Sequence, residues 1–208
     1  MEWPEEAYKK FSEVKWIRSD FRMPPAHARN IALNHFYSTD DDYCLILDDD
    51  TWIAKGDDLI DTLRKKDIGD VLTVTHGNLC YAPYHLSTYH RVKTTNHIIT
   101  GCFIVKNFRK RYNEELFFNT NFITHPSRGL VYGEDVNFPK RALSKGYKVY
   151  EVYSSAVNNS RNIDCTESTW LDKPWKEINT EGQADIKKFD ALDNIYLNFT
   201  EEVIKVEK

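Results

Sequence analysis

Long apolar runs are missing from this chain. No stretch approaches the roughly 20 residues that a membrane-spanning helix needs. The opening segment MEWPEEAYKKFSEVKW is acidic and amphipathic, without the basic stretch and apolar core of a secretory signal. A soluble, cytoplasmic protein with no membrane span is expected. Cysteine is sparse: Cys44, Cys80, Cys102 and Cys165 form no CxxC pair, which points away from a zinc knuckle or disulfide framework and toward buried free thiols. Basic charge is not in excess either. With 28 Lys and Arg against 32 Asp and Glu, the net charge of -4 offers no general attraction for a phosphodiester backbone, although the strip Lys106, Arg109, Lys110 and Arg111 can meet a local anion. Internal repeats, low-complexity segments and a Gly-rich basic loop of the kind that cradles a triphosphate are absent too.

What is present is enough apolar material, 41% of 208 residues, for one sizeable core and hence one domain. EEAYKKFSEV spaces its apolar residues as a helix does, and VKWIRS reads as a short strand. PPAHARNIALNHFYS opens on two prolines, good helix starters, and carries Ala28, Ile31, Ala32, Leu33 and Phe36 on a broad apolar face. YCLIL then predicts a buried strand, GDDLIDTLRKK a helix, GDVLTVT a strand and HIITGCFIVKN another. PYHLSTYHRVKTTN, polar and aromatic, reads as a functional loop. YGEDVNFPKRALSKGYKVYEV predicts a helix from about Asp135 to Leu143, a stop at Gly146 and a strand. The alternation of strands and helices predicts an α/β domain with a mainly parallel mixed sheet flanked by helices, whose ligand sites lie at the carboxyl ends of strands. After about Arg161 the chain turns polar and is expected to pack on the domain or cover its site.

Two acidic sites carry the chemistry. YCLILDDDTW ends an apolar strand in Asp48, Asp49 and Asp50, whose mutual repulsion a hard divalent cation removes by taking carboxylate oxygens as ligands; the plainer reading is a solvated turn or helix cap. Gly133 precedes Glu134 and Asp135 at a helix start, where a carboxylate is stabilised and can act as a general base. The plainer reading there is an ordinary helix N-terminus.

The order PPAHARNIALN, YCLILDDDTW, HIITGCFIVKN, LVYGEDVNFPKRALSKGYKVYEV resembles the GT-A fold glycosyltransferases, and within them the family-2-like group, over roughly Val14 to Asn159. The resemblance implies a (Rossmann-related) sugar transferase using Mn2+ or Mg2+ and a nucleotide-sugar donor, a UDP-sugar among the candidates. It implies that Asp50 ligates the metal on the donor diphosphate and that Asp48 contacts the ribose or the metal. Arg29 and Asn30 would touch donor phosphate or sugar, and Gly101 and Cys102 would leave room for the sugar. Asp135 would be the base in an inverting reaction, with Glu134 placing it or holding the acceptor.

Two departures stand out. Only about 13 residues precede VKWIRS, so the family's first βαβ unit, which holds the nucleotide base, is expected to be missing. After GYKVYEV, SAVNNS stands where many members have a metal-binding His, so Asn158 or Asn159, with Asn159 preferred, would supply an amide oxygen. The acceptor expected is a glycan, a lipid-linked sugar or a modified nucleobase. Two alternatives stay open: a catalytically inactive sugar- or partner-binding module, and a nucleotidyltransferase, which the missing phosphate loop disfavours. Of the remaining side chains, His76 can reach the cleft, Tyr81, Tyr84, His85, Tyr89 and His90 can form an acceptor platform, and Trp170 and Trp175 can anchor the tail or close over the donor.

Overall fold

A computed structural model of the chain describes residues 23–48, 51–53, 69–75, 92–96, 98, 101–121, 133–153, 157–159, 187–188, 190–191 and 203–204. The expected N-terminal helix, the VKWIRS strand and the GDDLIDTLRKK helix lie outside these residues. So do His76, the Tyr81 to His90 cluster, Trp170 and Trp175.

Helix α1, Pro25–Tyr37, starts where the proline pair predicts, with a proline in its first turn, where a missing N–H costs nothing. It ends where the Ser38 and Thr39 hydroxyls donate to the carbonyls of His35 and Phe36, satisfying acceptors that the helix leaves over. Its buried residues are Ala26, Leu33, Phe36 and Tyr37. They join Phe108 of the short helix α2 (Phe108–Tyr112) and Phe138 and Ala142 of helix α3 (Glu134–Ser144) in one core. The sheet contributes Val71, Phe103, Val105 and Val149 to that core. These three helices therefore share one face, and the other face carries a second cluster of Leu72, Val74, Val92, Cys102, Ile104 and Val152.

The sheet contains β1 (Tyr43–Leu47), β3 (Val71–Thr75), β4 (Val92–Thr94), β5 (Cys102–Lys106), β6 (Val149–Tyr153) and β8 (Val203–Ile204), in the spatial order β1-β5-β3-β6-β4-β8. A separate two-stranded ribbon pairs β2 (Thr51–Ile53) with β7 (Val157–Asn159). The α/β class holds, but the sheet is mainly antiparallel rather than mainly parallel. Among the described strands only the β3 and β6 pairing is parallel, while β5 runs opposite to both β1 and β3, and β4 runs opposite to β6 and β8. Alternating helices and strands reveal that connections cross a sheet face, not where each returning strand inserts.

Two further expectations change. YCLIL is a strand but not a buried one: at the end of the sheet order it turns Cys44 and Ile46 toward the helix core and leaves Tyr43, Leu45 and Leu47 43%, 38% and 38% exposed. The stretch expected as a functional loop contributes β4, which binds β6 on one side and the tail strand β8 on the other. No helix among the described residues is long and apolar enough to cross a membrane.

This topology sets the carboxyl ends of β1, β3 and β6 and the amino end of β5 along one sheet edge. Asp48 follows β1 there, and its N–H donates to the Gly101 carbonyl at the start of β5 (3.1 Å). At the opposite edge Gly69 enters β3 with φ +75°, and a Cβ there would lie 2.9 Å from both the Lys148 carbonyl oxygen and the Tyr150 ring. Positive φ and a close backbone neighbour each require glycine. Gly69→Ala should therefore lower the unfolding free energy by about 1–3 kcal/mol. Denaturant unfolding would measure this, and a variant as stable as the wild type would contradict the packing described.

Candidate active site

The two acidic sites meet through one guanidinium. Arg29, on α1, donates from Nη1 to Glu134 Oε1 at 2.9 Å and reaches Asp48 Oδ1 with Nη2 at 3.4 Å. The Arg29 and Glu134 side chains are only 10% and 9% exposed, whereas Asp48 is 37% exposed. The inner contact is thus the strong one, because little water screens it. Glu134 also accepts from the Gly133 N–H at 3.2 Å, so both of its oxygens are engaged.

Beneath the guanidinium lies the Phe118 ring, 5.6 Å from its centre. That ring stacks on Phe138 (4.1 Å between centroids, 14° between planes) and meets Phe103 edge-on. Its backbone is fixed by Asn30, whose amide nitrogen donates to the Phe118 carbonyl (2.9 Å) and whose oxygen accepts from the Phe118 N–H (2.7 Å). Tyr37 and Arg141 donate to the adjoining carbonyls of Leu116 and Phe117. The expected donor residue Asn30 therefore has a structural role, setting the platform on which Arg29 rests. Phe118 was not anticipated, since nothing in ELFFN marks which of its rings lies under a cation.

Asp135 stands beside Glu134 in the first turn of α3. Protein atoms strip hydration from its carboxyl, and the Glu134 charge lies close. Together these push it from the ordinary 3.8 up to about 7, against the opposing pull of Arg29 and of backbone N–H groups at the helix start. Its backbone is tied as well. Pro139, inside α3, has no N–H for the carbonyl four residues earlier, which is that of Asp135, and the Ile98 N–H donates there instead at 3.0 Å. The segment that leads into β5 is thereby bonded to the helix that carries the acid pair.

At the strand end, the Thr51 N–H donates to the Asp48 carbonyl (3.1 Å). Asp49 and Asp50 lie outside the described residues. The β2 and β7 register sets Asn159 opposite Thr51, the residue that follows Asp50 in the chain. Gly101 approaches Thr51 so closely that a Cβ on it would stand 3.3 Å from Thr51 Oγ1. Cys102 is fully buried, its thiol pushed up to about 12 by burial first and by the Asp48 charge second. It is a small inert neighbour rather than a nucleophile. The basic strip does not gather into an anion site: Lys110 pairs with Asp42 (2.8 Å), Arg109 with Glu115 (3.7 Å) and Arg111 with Asp70 (3.9 Å), while Lys106 is buried.

No family model and no curated protein matches the chain. Among solved structures it is similar to A197 from STIV, with a TM-score of 0.47 and 20% identity over 74% of this chain and 75% of that one.

The raised carboxyl makes stability depend on pH. Between about pH 4 and 7 the folded protein keeps the Asp135 proton that an unfolded chain has released, so the contribution of Asp135 to stability is fullest below about 4 and is lost as pH rises through 7. Asp135→Asn, a permanently neutral mimic, should flatten that fall and be the more stable protein at pH 8. Urea unfolding at several pH values checks this; an unchanged pH slope in the variant would contradict the environment described for Asp135.

Proposed function

We propose that this protein is a metal-dependent glycosyltransferase that moves a sugar from a nucleotide-sugar donor to a hydroxyl acceptor with inversion. The observation that carries the reading is the Arg29 bridge. It brings the acidic strand end and the acid pair of α3 around one cation, which is the juxtaposition this chemistry needs. Asp135 fits the base. A carboxylate whose proton affinity lies near neutrality can accept a proton from an acceptor hydroxyl with little penalty in either state.

In the proposed step the acceptor oxygen attacks the anomeric carbon and its proton passes to Asp135. The bond from that carbon to the diphosphate oxygen breaks, and the diphosphate leaves with the electron pair. Glu134, fixed by Arg29 and Gly133, holds the helix start in place and keeps the affinity of Asp135 for a proton high. Gly101, with no Cβ, lets the Thr51 hydroxyl pack against the start of β5.

The donor chemistry suits a hard divalent cation. Asp48 offers a partly exposed carboxylate, β7 sets the amide position Asn159 opposite Thr51, and Asp50 would complete the set. Such an ion, Mg2+ or Mn2+, would offset negative charge on the leaving diphosphate. Among the described residues no group of three or more His, Cys, Asp or Glu could hold a metal, which leaves the assignment of Asp50 decisive.

A second reading, a non-catalytic sugar- or partner-binding module, is favoured by one feature: Glu134 and Asp48 already meet a cation, Arg29, within the protein. Calorimetric titration of UDP with and without Mn2+, with transfer assays alongside, separates the two. A transferase should bind UDP in a Mn2+-dependent way that Asp50→Ala abolishes. Asp135→Asn should keep that binding and lose roughly 10^2- to 10^4-fold in transfer, and the wild-type kcat/KM, which reports the unloaded enzyme, should rise with pH through about 7. Metal-independent binding, or full turnover in Asp135→Asn, would overturn the proposal.

A further inference from the structure

Arg29 does more than join two acids, because its two contacts are unequal. The inner arm is short and shielded, while the outer arm, to Asp48, is longer and lies near water. Phe118 supports the guanidinium from below and Asn30 holds Phe118, so the freedom left to the fork is to lean toward one acid site or the other. Its longer outer arm ties it to the strand end and its shorter inner arm to the helix start. Whatever neutralises Asp48 releases the outer arm, and the fork then settles closer to Glu134 and Asp135, where its charge acts more strongly.

Resting on the transferase reading of this site, we propose that Arg29 is a positioning residue that transmits the charge state of Asp48 to the Glu134 and Asp135 pair, so that occupying the strand end converts the base to its working form. The coupling has a functional logic: the base would lose its proton readily only when the donor side is filled, and an unloaded site would keep it protonated. The described charges around Asp135 permit this. Glu134 faces it from its own helix and Arg29 from α1, and Asp48 lies at the other arm of Arg29. The sheet's buried charges, Lys93 and Glu151, pair with each other at 3.1 Å. Lys140, further along α3, is paired with Asp190.

The test follows the Asp135 carboxyl by carbon-13 NMR as pH is varied, so it needs neither substrate nor turnover. In the wild type, Asp48→Asn should lower the Asp135 midpoint. Arg29→Met should raise that midpoint by roughly one unit or more. In the Arg29→Met background, Asp48→Asn should move the midpoint by less than half as much as it does in the wild type. If Arg29→Met fails to fold, Arg29→Lys serves. It keeps the charge but not the two-armed fork, and should hold the midpoint near the wild-type value while weakening the response to Asp48→Asn. An equal response to Asp48→Asn with and without the Arg29 fork, or an Asp135 midpoint indifferent to Arg29→Met, would overturn the proposal. The outcome is separable from the transferase reading: the coupling can hold in a protein that transfers no sugar, and transfer can proceed in one that lacks the coupling.

Discussion

A single ion pair, Arg29 to Glu134, organises this end of the molecule. It spans helices far apart in sequence, closes at 2.9 Å with little access to water, and has the Phe118 ring beneath it. Burying an arginine needs such company. The guanidinium keeps two hydrogen-bonded anionic neighbours and an aromatic face, and its stem packs where water is excluded. Take away Glu134 and the buried cation keeps only its longer, half-exposed contact with Asp48; take away Phe118 and the cation loses its floor.

From that constraint the remaining features follow. The Asn30 amide must grip the Phe118 backbone, because a platform that slides would not hold a charge in place. Asp48 is drawn toward the same cation, so the turn that ends β1 lies against the site rather than away from it. Asp135, next to an already satisfied Glu134 and poorly hydrated, is the member of the pair left to hold a proton near neutral pH. The carbonyl that Pro139 deprives of its helical donor finds the Ile98 N–H, which binds the β5 approach to the acid-bearing helix. Electrostatics and backbone hydrogen bonding therefore act at one place.

Much of this was legible in the residues, and the reasons differ from element to element. The double proline before α1 and the Gly133 and Gly146 brackets around α3 are local signals, and both helices stand where those signals set them. The acidic strand end and the Glu134 and Asp135 pair were readable as chemistry because like charges gathered at element ends call for a counter-charge. That the counter-charge within the protein is Arg29 could not be read, since Arg29 and Glu134 lie 105 residues apart and no local pattern encodes their meeting. The direction of β5 was hidden for a similar reason: its apolar run fits either orientation, and only the choice of neighbours decides. The exposed side of β1 escaped because a continuous apolar run looks the same whether one face of the strand is covered or both. The orphaned Asp135 carbonyl, by contrast, was available from counting alone, four residues before Pro139.

If the Arg29 and Glu134 pair holds the two halves of the site together, the two side chains must be energetically coupled. The most direct measurement is a double-mutant cycle on unfolding free energy, using Arg29→Met, Glu134→Gln and the double variant. A coupling energy of about 1–3 kcal/mol is expected, with the double variant more stable than the two single losses sum to. A coupling near zero, the single losses simply adding, would mean that the guanidinium does not bind that carboxylate in solution, and the site would have lost the bond that joins it.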